Sequence, residues 1–249
     1  MEKETKQVNT EESTEEGVKE VKPKKTKINF DTEEMMQTGM HLGHTTSKLH
    51  PRMTDFVVGI RNTVHVIDLE KTAKYLQKAI DVLVAAKKEN KNILIVSTKT
   101  PLKHLVTEVA KELGISYVTE RWIGGAFTNF EVIRKRVNYF SDLKSKKEKG
   151  ELDKYTKKEK LKMEEELTKL EIKFGGIEKM DKIPDIMFLC DIVKDDLPLK
   201  EAKAKGVKTI GIIDTNADPL AVDHLIPAND DAISSVRYIL NAIKESLLQ

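Results

Sequence analysis

Cysteine occurs once in the 249 residues, at Cys190. One thiol closes no intramolecular disulfide and builds no cysteine-based zinc cluster, so both frameworks are excluded. No apolar run approaches the ~20 residues needed to cross a bilayer, and no membrane contact is expected. The first residues lack the apolar stretch of a secretion signal. Their Glu-rich character, with no arginine before Arg52, argues against a transit peptide, and a cytoplasmic location is expected. An excess of one charge sign is missing as well: 43 Lys and Arg stand against 41 Asp and Glu, which excludes binding to nucleic acid through bulk charge alone. Apolar residues make up only 39%, whereas charged residues reach 34%, above the usual ~25%. A core cannot hold that surplus, so it belongs to a tail or an exposed arm.

Residues 1–28 carry seven Glu, seven Lys and almost no large apolar groups. Such a segment buries too little surface to offset its ordering entropy and is read as a disordered charged tail. From Phe30 the texture changes. Asp31 or Thr32, followed by Glu33 and Glu34, suits a short helix start. Gly39 and Gly43 then permit tight turns. Two short strands, Phe56–Val58 and Val64–Ile67, are expected around a turn at residues 59–62. Asp68 caps a helix running to about Lys88, whose Leu69, Ala73, Leu76, Ile80, Leu83 and Val84 form one apolar face.

The strand Ile93–Val96 leads to a helix opened by Pro101 and closed by Gly114. Further strands are expected at Ile115–Val118, Ile186–Cys190 and Ile210–Ile213, with a weak one near Leu225 and Ile226, before a last helix. The best of these are uninterrupted apolar runs, which implies burial on both faces. Strands separated by helix-length segments mean βαβ units, a parallel sheet and an α/β fold.

One stretch breaks the rhythm. Phe130, Ile133, Val137 and Phe140, then Met163, Leu167, Leu170 and Phe174, follow heptad-like steps on either side of Gly150. They predict an antiparallel coiled-coil hairpin over residues 127–174, inserted between two parts of a sheet domain, 29–126 and 175–249. Between Glu131 and Lys173 there are 14 Lys and Arg against 10 Asp and Glu, so the arm carries a net positive charge.

The chemistry-bearing candidates are few. There is no GxxxxGK[ST] loop and no GxGxxG after a strand. Lys99, after the strand Ile93–Val96, either meets a phosphate at a helix N-terminus or sits in an ordinary polar turn. Asp191 and Asp214 follow strands at the edge where α/β active sites form; they are either Mg²⁺ ligands or turn and capping residues. His41, His44 and His50 lie close together, but no third zinc ligand is evident beside His41 and His44. Cys190 lies inside an apolar strand, where a thiol is inert. Arg121 and Trp122, next to Gly124 and Gly125, either stack on bases and clamp phosphates or form a buried hinge. Arg134, Lys135 and Arg136 open the arm with three cations, some of which reach backbone phosphates unless they only solvate a helix face. No nucleophile, base and orienter assemble, so neither catalysis nor a cofactor is expected.

Seven segments taken in order resemble the bacterial-type small-subunit ribosomal protein family S two, over roughly residues 30–248. They are Met35–His44, His50–Thr72, Glu120–Asn129, Leu170–Met180, Pro184–Asp191, Glu201–Val207 and Ile212–Pro219. The resemblance implies a Rossmann-like, flavodoxin-type three-layer α/β/α fold of about five parallel strands with the hairpin inserted. It also implies a structural, non-catalytic role in translation: contact with small-subunit rRNA near the head–body junction, neighbouring ribosomal proteins, and help in docking the mRNA-binding ribosomal protein S one. A homo-oligomer and a small-molecule substrate are not expected. Motif positions add His41, His44, Asn62 and Asn129 to the expected RNA contacts Arg61, Lys99, Arg121, Trp122, Arg134, Lys135 and Arg136. Ser97 stands where the family often has Gly, and Leu49 and His50 where it often has an aromatic residue and Asn.

Overall fold

The computed structural model describes residues 30–248, so the tail expected over residues 1–28 lies outside the described residues. Helix α1 (Thr32–Gln37) starts where the Asp31 carboxylate accepts the Glu33 N–H at 2.8 Å, satisfying one of the donors that a helix start leaves free. A small antiparallel sheet follows, made of β1 (Leu42–Thr45), β2 (Val57–Arg61) and β3 (Val64–Ile67) in the order β1-β3-β2.

This sheet departs from the expectation in two places. Strand β1 occupies a stretch read as turns, because its pairing with β3 is tertiary and Gly, His and Thr announce no strand locally. Gly43 is needed there for space: a Cβ would lie 2.5 Å from Thr215 Cγ2 and 2.8 Å from its Oγ1. Strand β2 runs on through Gly59, Ile60 and Arg61, and the register slips between Val57 and Gly59, so Gly59 belongs to a bulge rather than a turn. The turn is Asn62-Thr63, both with positive φ (48° and 64°), the two-residue geometry that matches the twist of a hairpin.

Helix α2 (Leu69–Lys88) begins at Asp68, whose carboxylate accepts the N–H groups of Glu70 and Lys71 at 3.0 and 3.2 Å. The main sheet comprises β4 (Ile93–Val96), β5 (Ser116–Val118), β6 (Ile186–Leu189), β7 (Lys208–Ile213) and β8 (His224–Pro227). All pairings are parallel, in the order β5-β4-β6-β7-β8. That is the 2-1-3-4-5 order of the flavodoxin type.

Alternation along these strands divides the core. Ile93 and Ile95 of β4, Ile186 and Phe188 of β6 and Ile210 and Ile212 of β7 pack against α2, α3 (Lys103–Leu113) and α7 (Ile233–Leu248). Leu94, Val96, Met187 and Leu189 face the other way, toward α6 (Asp196–Ala204), Trp122, Phe127 and residues of α4 (Phe130–Glu148) and α5 (Lys157–Phe174). The result is three layers, as uninterrupted apolar strands require.

Helices α4 and α5 bury Val137, Phe140, Leu143, Leu167 and Phe174. Thr156 and Glu159 form a reciprocal capping box at the start of α5. The exit from α5 is tied to β5: a Cβ on Gly176 would collide with the Tyr117 carbonyl and ring.

Gly43→Ala is expected to cost about 1–3 kcal/mol through overpacking against Thr215, read as a fall in Tm. Gly59→Ala, with nothing within 4 Å of the added carbon, should change stability by less than about 0.5 kcal/mol. Calorimetry of the two variants checks the contrast.

Candidate nucleic-acid interface

Open parallel sheets bind ligands beyond the carboxyl ends of the strands, where the direction of the connections reverses. Here that point lies between β4 and β6, and the protein's own side chains fill it. Thr98 after β4 donates from its backbone N–H and hydroxyl to the two oxygens of Asp195, at 3.1 and 2.7 Å. Beside it, Lys99 Nζ lies 2.9 Å from Asp191, 2.8 Å from Asp230 and 2.7 Å from Asp231, and 3.0 Å from the Asp230 carbonyl.

An ammonium has three protons, and these acceptors engage all of them. Lys99, expected either at a phosphate or in a polar turn, is thus engaged by internal acceptors. Asp191 is a turn residue, its second oxygen accepting from Val193 and Lys194 N–H at 2.8 and 2.9 Å. Burial favours loss of the Lys99 proton, but the three carboxylates outweigh it and hold its pKa above the usual value. Burial, with the Asp191 charge, pushes Asp230 up to about 7 against the pull of Lys99.

Strand β1 lies over the same end of the sheet. The His44 backbone N–H donates to Thr215 Oγ1 at 2.8 Å. The His44 ring spans Asp214 (Nδ1 to Oδ2, 3.1 Å) and Asp231 (Nε2 to Oδ2, 3.5 Å), with Asn216 Nδ2 3.2 Å from Nε2. The bond to Asp214 raises the His44 pKa, against the effect of burial. His41 is half-buried, and its carbonyl accepts the Ile67 N–H at 2.8 Å. The His44 ring thus serves the docking of the small sheet, while His41 takes part in it through its backbone carbonyl. Among the described residues no three His, Cys, Asp or Glu side chains are grouped to hold a metal ion. Burial pushes the Cys190 thiol up to about 12, leaving it un-ionised at neutral pH.

A second internal anchor sits where α4 leaves the sheet. The carboxylate of Glu201 on α6 accepts from Gly125 N–H at 2.7 Å, Phe127 N–H at 2.9 Å, and Thr128 N–H and the Trp122 indole at 3.3 Å. Burial would raise the Glu201 pKa, but the donated N–H bonds outweigh it and hold the carboxyl below its usual range. Trp122 is only 7% exposed and meets Phe127 edge-to-face at 5.0 Å. Its ring is closed to a base, so of the two expected roles the hinge is the one its position allows.

The remaining candidates separate by exposure. Arg134 Nη1 donates to the carbonyls of Glu178 and Met180 at 3.1 and 3.0 Å, and Nη2 pairs with Asp181. It fastens the start of α4 to the segment after α5, and its guanidinium is engaged within the fold. Arg61 and Asn62 stand exposed at the tip of the β2–β3 hairpin, while Arg121, Asn129, Lys135 and Arg136 are exposed at and beyond the loop that enters α4. Glu201, Asp195 and Asp230 were not singled out from the sequence, because nothing local marks an acid whose partners lie far away along the chain.

The fold is an α/β scaffold whose ligand crevice is closed by internal ion pairs and whose exposed cations lie at a hairpin tip and along a helical pair. The model of the family described as Ribosomal protein S2 matches residues 35–249. The protein named "Small ribosomal subunit protein uS2" from Roseiflexus sp. (strain RS-1) is 39% identical over 215 residues, 86% of this chain and 82% of its own. Its namesake from Marinobacter nauticus (strain ATCC 700491 / DSM 11845 / VT8) is 38% identical over 217 residues, 87% of this chain and 86% of its own. That from Geotalea uraniireducens (strain Rf4) is 35% identical over 221 residues, 89% and 86%. The chain belongs to the ribosomal protein S2 family, and it is a structural ribosomal component rather than an enzyme.

Two outcomes follow from the anchors. Asp230 and His44 both titrate above their unfolded values, so the folded chain holds more protons near neutrality and loses stability as pH rises through about 7. Thermal melts should show a lower Tm at pH 8.5 than at pH 6, with a smaller difference in Asp230→Asn; a flat profile in the parent protein contradicts this. Glu201→Gln replaces one acceptor oxygen by a donor facing N–H groups, and should speed hydrogen exchange at Gly125, Phe127 and Thr128 while strand β6 stays protected.

Proposed function

We infer that the chain is a structural constituent of the small ribosomal subunit that binds small-subunit rRNA near the junction of head and body. Residues 127–174 act as a helical arm on a sheet domain of residues 29–126 and 175–249. The observation that carries this reading is the division among the expected cations. Lys99 and Arg134 are neutralised by internal acceptors. Arg61, Arg121, Lys135 and Arg136 are exposed and have no ion-pair partner among the described residues. Cations left unpaired beside exposed Asn62 and Asn129 fit phosphate and sugar contacts, which position a protein on nucleic acid. The relatives' name assigns them to the small ribosomal subunit, which supports the same reading for this chain.

The chain also helps to dock the mRNA-binding ribosomal protein S one. Leu42, Val58 and Ile60, exposed by 41%, 72% and 61% on the small antiparallel sheet, supply apolar area suited to a protein neighbour. No small-molecule substrate and no second copy of the chain enter this account.

Binding of the full chain to a small-subunit rRNA transcript, measured across a salt series, tests the RNA reading. Replacing Arg61, Arg121 and Lys135 together by Glu should weaken binding and flatten the dependence on log salt by about one per lost phosphate contact. Lys99→Gln should lower Tm yet leave the affinity of the folded fraction unchanged. Undiminished binding by the triple variant overturns the reading.

A further inference from the structure

Neighbouring residues on a helix are turned by ~100°, so Arg134 and Arg136 point to nearly opposite flanks of α4. The Arg134 flank is used up internally. Besides the bonds of Arg134, Ser141 Oγ and Lys144 Nζ reach the two oxygens of Glu178 at 3.2 and 3.1 Å. The Arg136 flank is open. Val132, Arg136 and Tyr139 share it at helical spacing, with Val132 51% and Tyr139 42% exposed.

The Tyr139 hydroxyl donates to Glu166 of α5 at 3.4 Å, which brings the adjoining flank of α5 alongside. That flank carries Lys162, Glu166, Lys169 and Lys173, in steps of four, three and four. Its three lysines are exposed, and Arg136, Lys169 and Lys173 have no ion-pair partner among the described residues. Lys173 also borders the same small cavity as Arg121, which extends the row to the base of the helical pair. Some lysines elsewhere in the fold are paired, as Lys200 with Asp196 and Lys244 with Glu112. Cations without ion pairs, beside an exposed tyrosine whose hydroxyl takes up the one acid of the row, Glu166, suit a polyanion that also presents flat rings.

We propose that this flank, Arg121, Arg136, Lys169 and Lys173 with Tyr139, is the face of the helical pair that meets rRNA. The cations lie on successive phosphates, and the Tyr139 ring stacks on an unpaired base. The lysine row from Lys162 to Lys173 spans about 17 Å, enough for several backbone contacts. Unpaired bases stack on aromatic side chains, whereas a paired A-form helix offers mainly shape, phosphates and 2′-hydroxyls. The assignment rests on the rRNA-binding reading and names the surface that carries it.

The test measures binding of the full-length chain to a small-subunit rRNA transcript across a salt series. Arg136→Glu and Lys169→Glu should each weaken binding roughly tenfold near 0.1 M salt and reduce the salt slope by about one. Tyr139→Ala should weaken it about fivefold or more, while Tyr139→Phe, which keeps the ring, should bind as the parent does. Lys157→Glu makes the same charge change on the side of α5 opposite Glu166, about two and a half turns earlier, and should leave affinity within about twofold, since it lies off the contact face. If Lys157→Glu weakens binding as much as Arg136→Glu, the helices act by net charge and the flank is wrong. If Tyr139→Ala binds like the parent, the stacking contact is wrong. If the parent shows no salt-dependent binding at all, the rRNA reading itself fails and the flank falls with it.

Discussion

A half-buried lysine shared by three carboxylates determines how this fold is used. Lys99 sits at the one place where a parallel sheet of this order offers a ready ligand crevice, and its ammonium draws together the ends of β4, β6 and β8 through Asp191, Asp230 and Asp231. Such a cluster is costly to desolvate and is tolerated only when each charge is compensated; losing one partner strands the others. The chain has thus spent its most chemically capable position on cohesion. His44 extends the arrangement to the small antiparallel sheet, and Thr98 with Asp195 closes the gap beside it.

With the crevice closed, function moves outward. Glu201 performs for the loop into α4 what Lys99 performs for the sheet ends, with the charges reversed: one carboxylate collects the N–H groups of a glycine-containing turn and the Trp122 indole. Both anchors are charges held by many partners, and both leave the exposed arginines and lysines free of internal obligations. A rigid α/β body carrying cations on a hairpin tip and a helical pair suits assembly into a ribonucleoprotein, where position matters and turnover does not.

The legibility of this design in the sequence followed the range of the interactions. Strands β4, β6 and β7 were readable as apolar runs, and α2 from Asp68 and its apolar periodicity, because those signals are local. Strand β1 was missed because residues such as Gly43 and His44 become strand only through contacts with β3 and with Thr215, 171 residues from His44. Lys99 and Trp122 were drawn toward RNA for the same reason. Their partners lie 131 and 79 residues away, beyond any local pattern, and an unpaired Lys or Trp in a glycine-rich loop looks available until those partners are known. Exposed Arg61, Arg121 and Arg136 kept their place among the candidates because no internal acceptor claims them.

Sedimentation of a cell lysate through a sucrose gradient, followed by quantification of this chain in each fraction, tests the central claim most directly. The account predicts that the chain travels with small subunits at about one copy each and is released as salt is raised and its phosphate contacts weaken. A chain found at the top of the gradient at low salt, apart from any ribosomal particle, would contradict it.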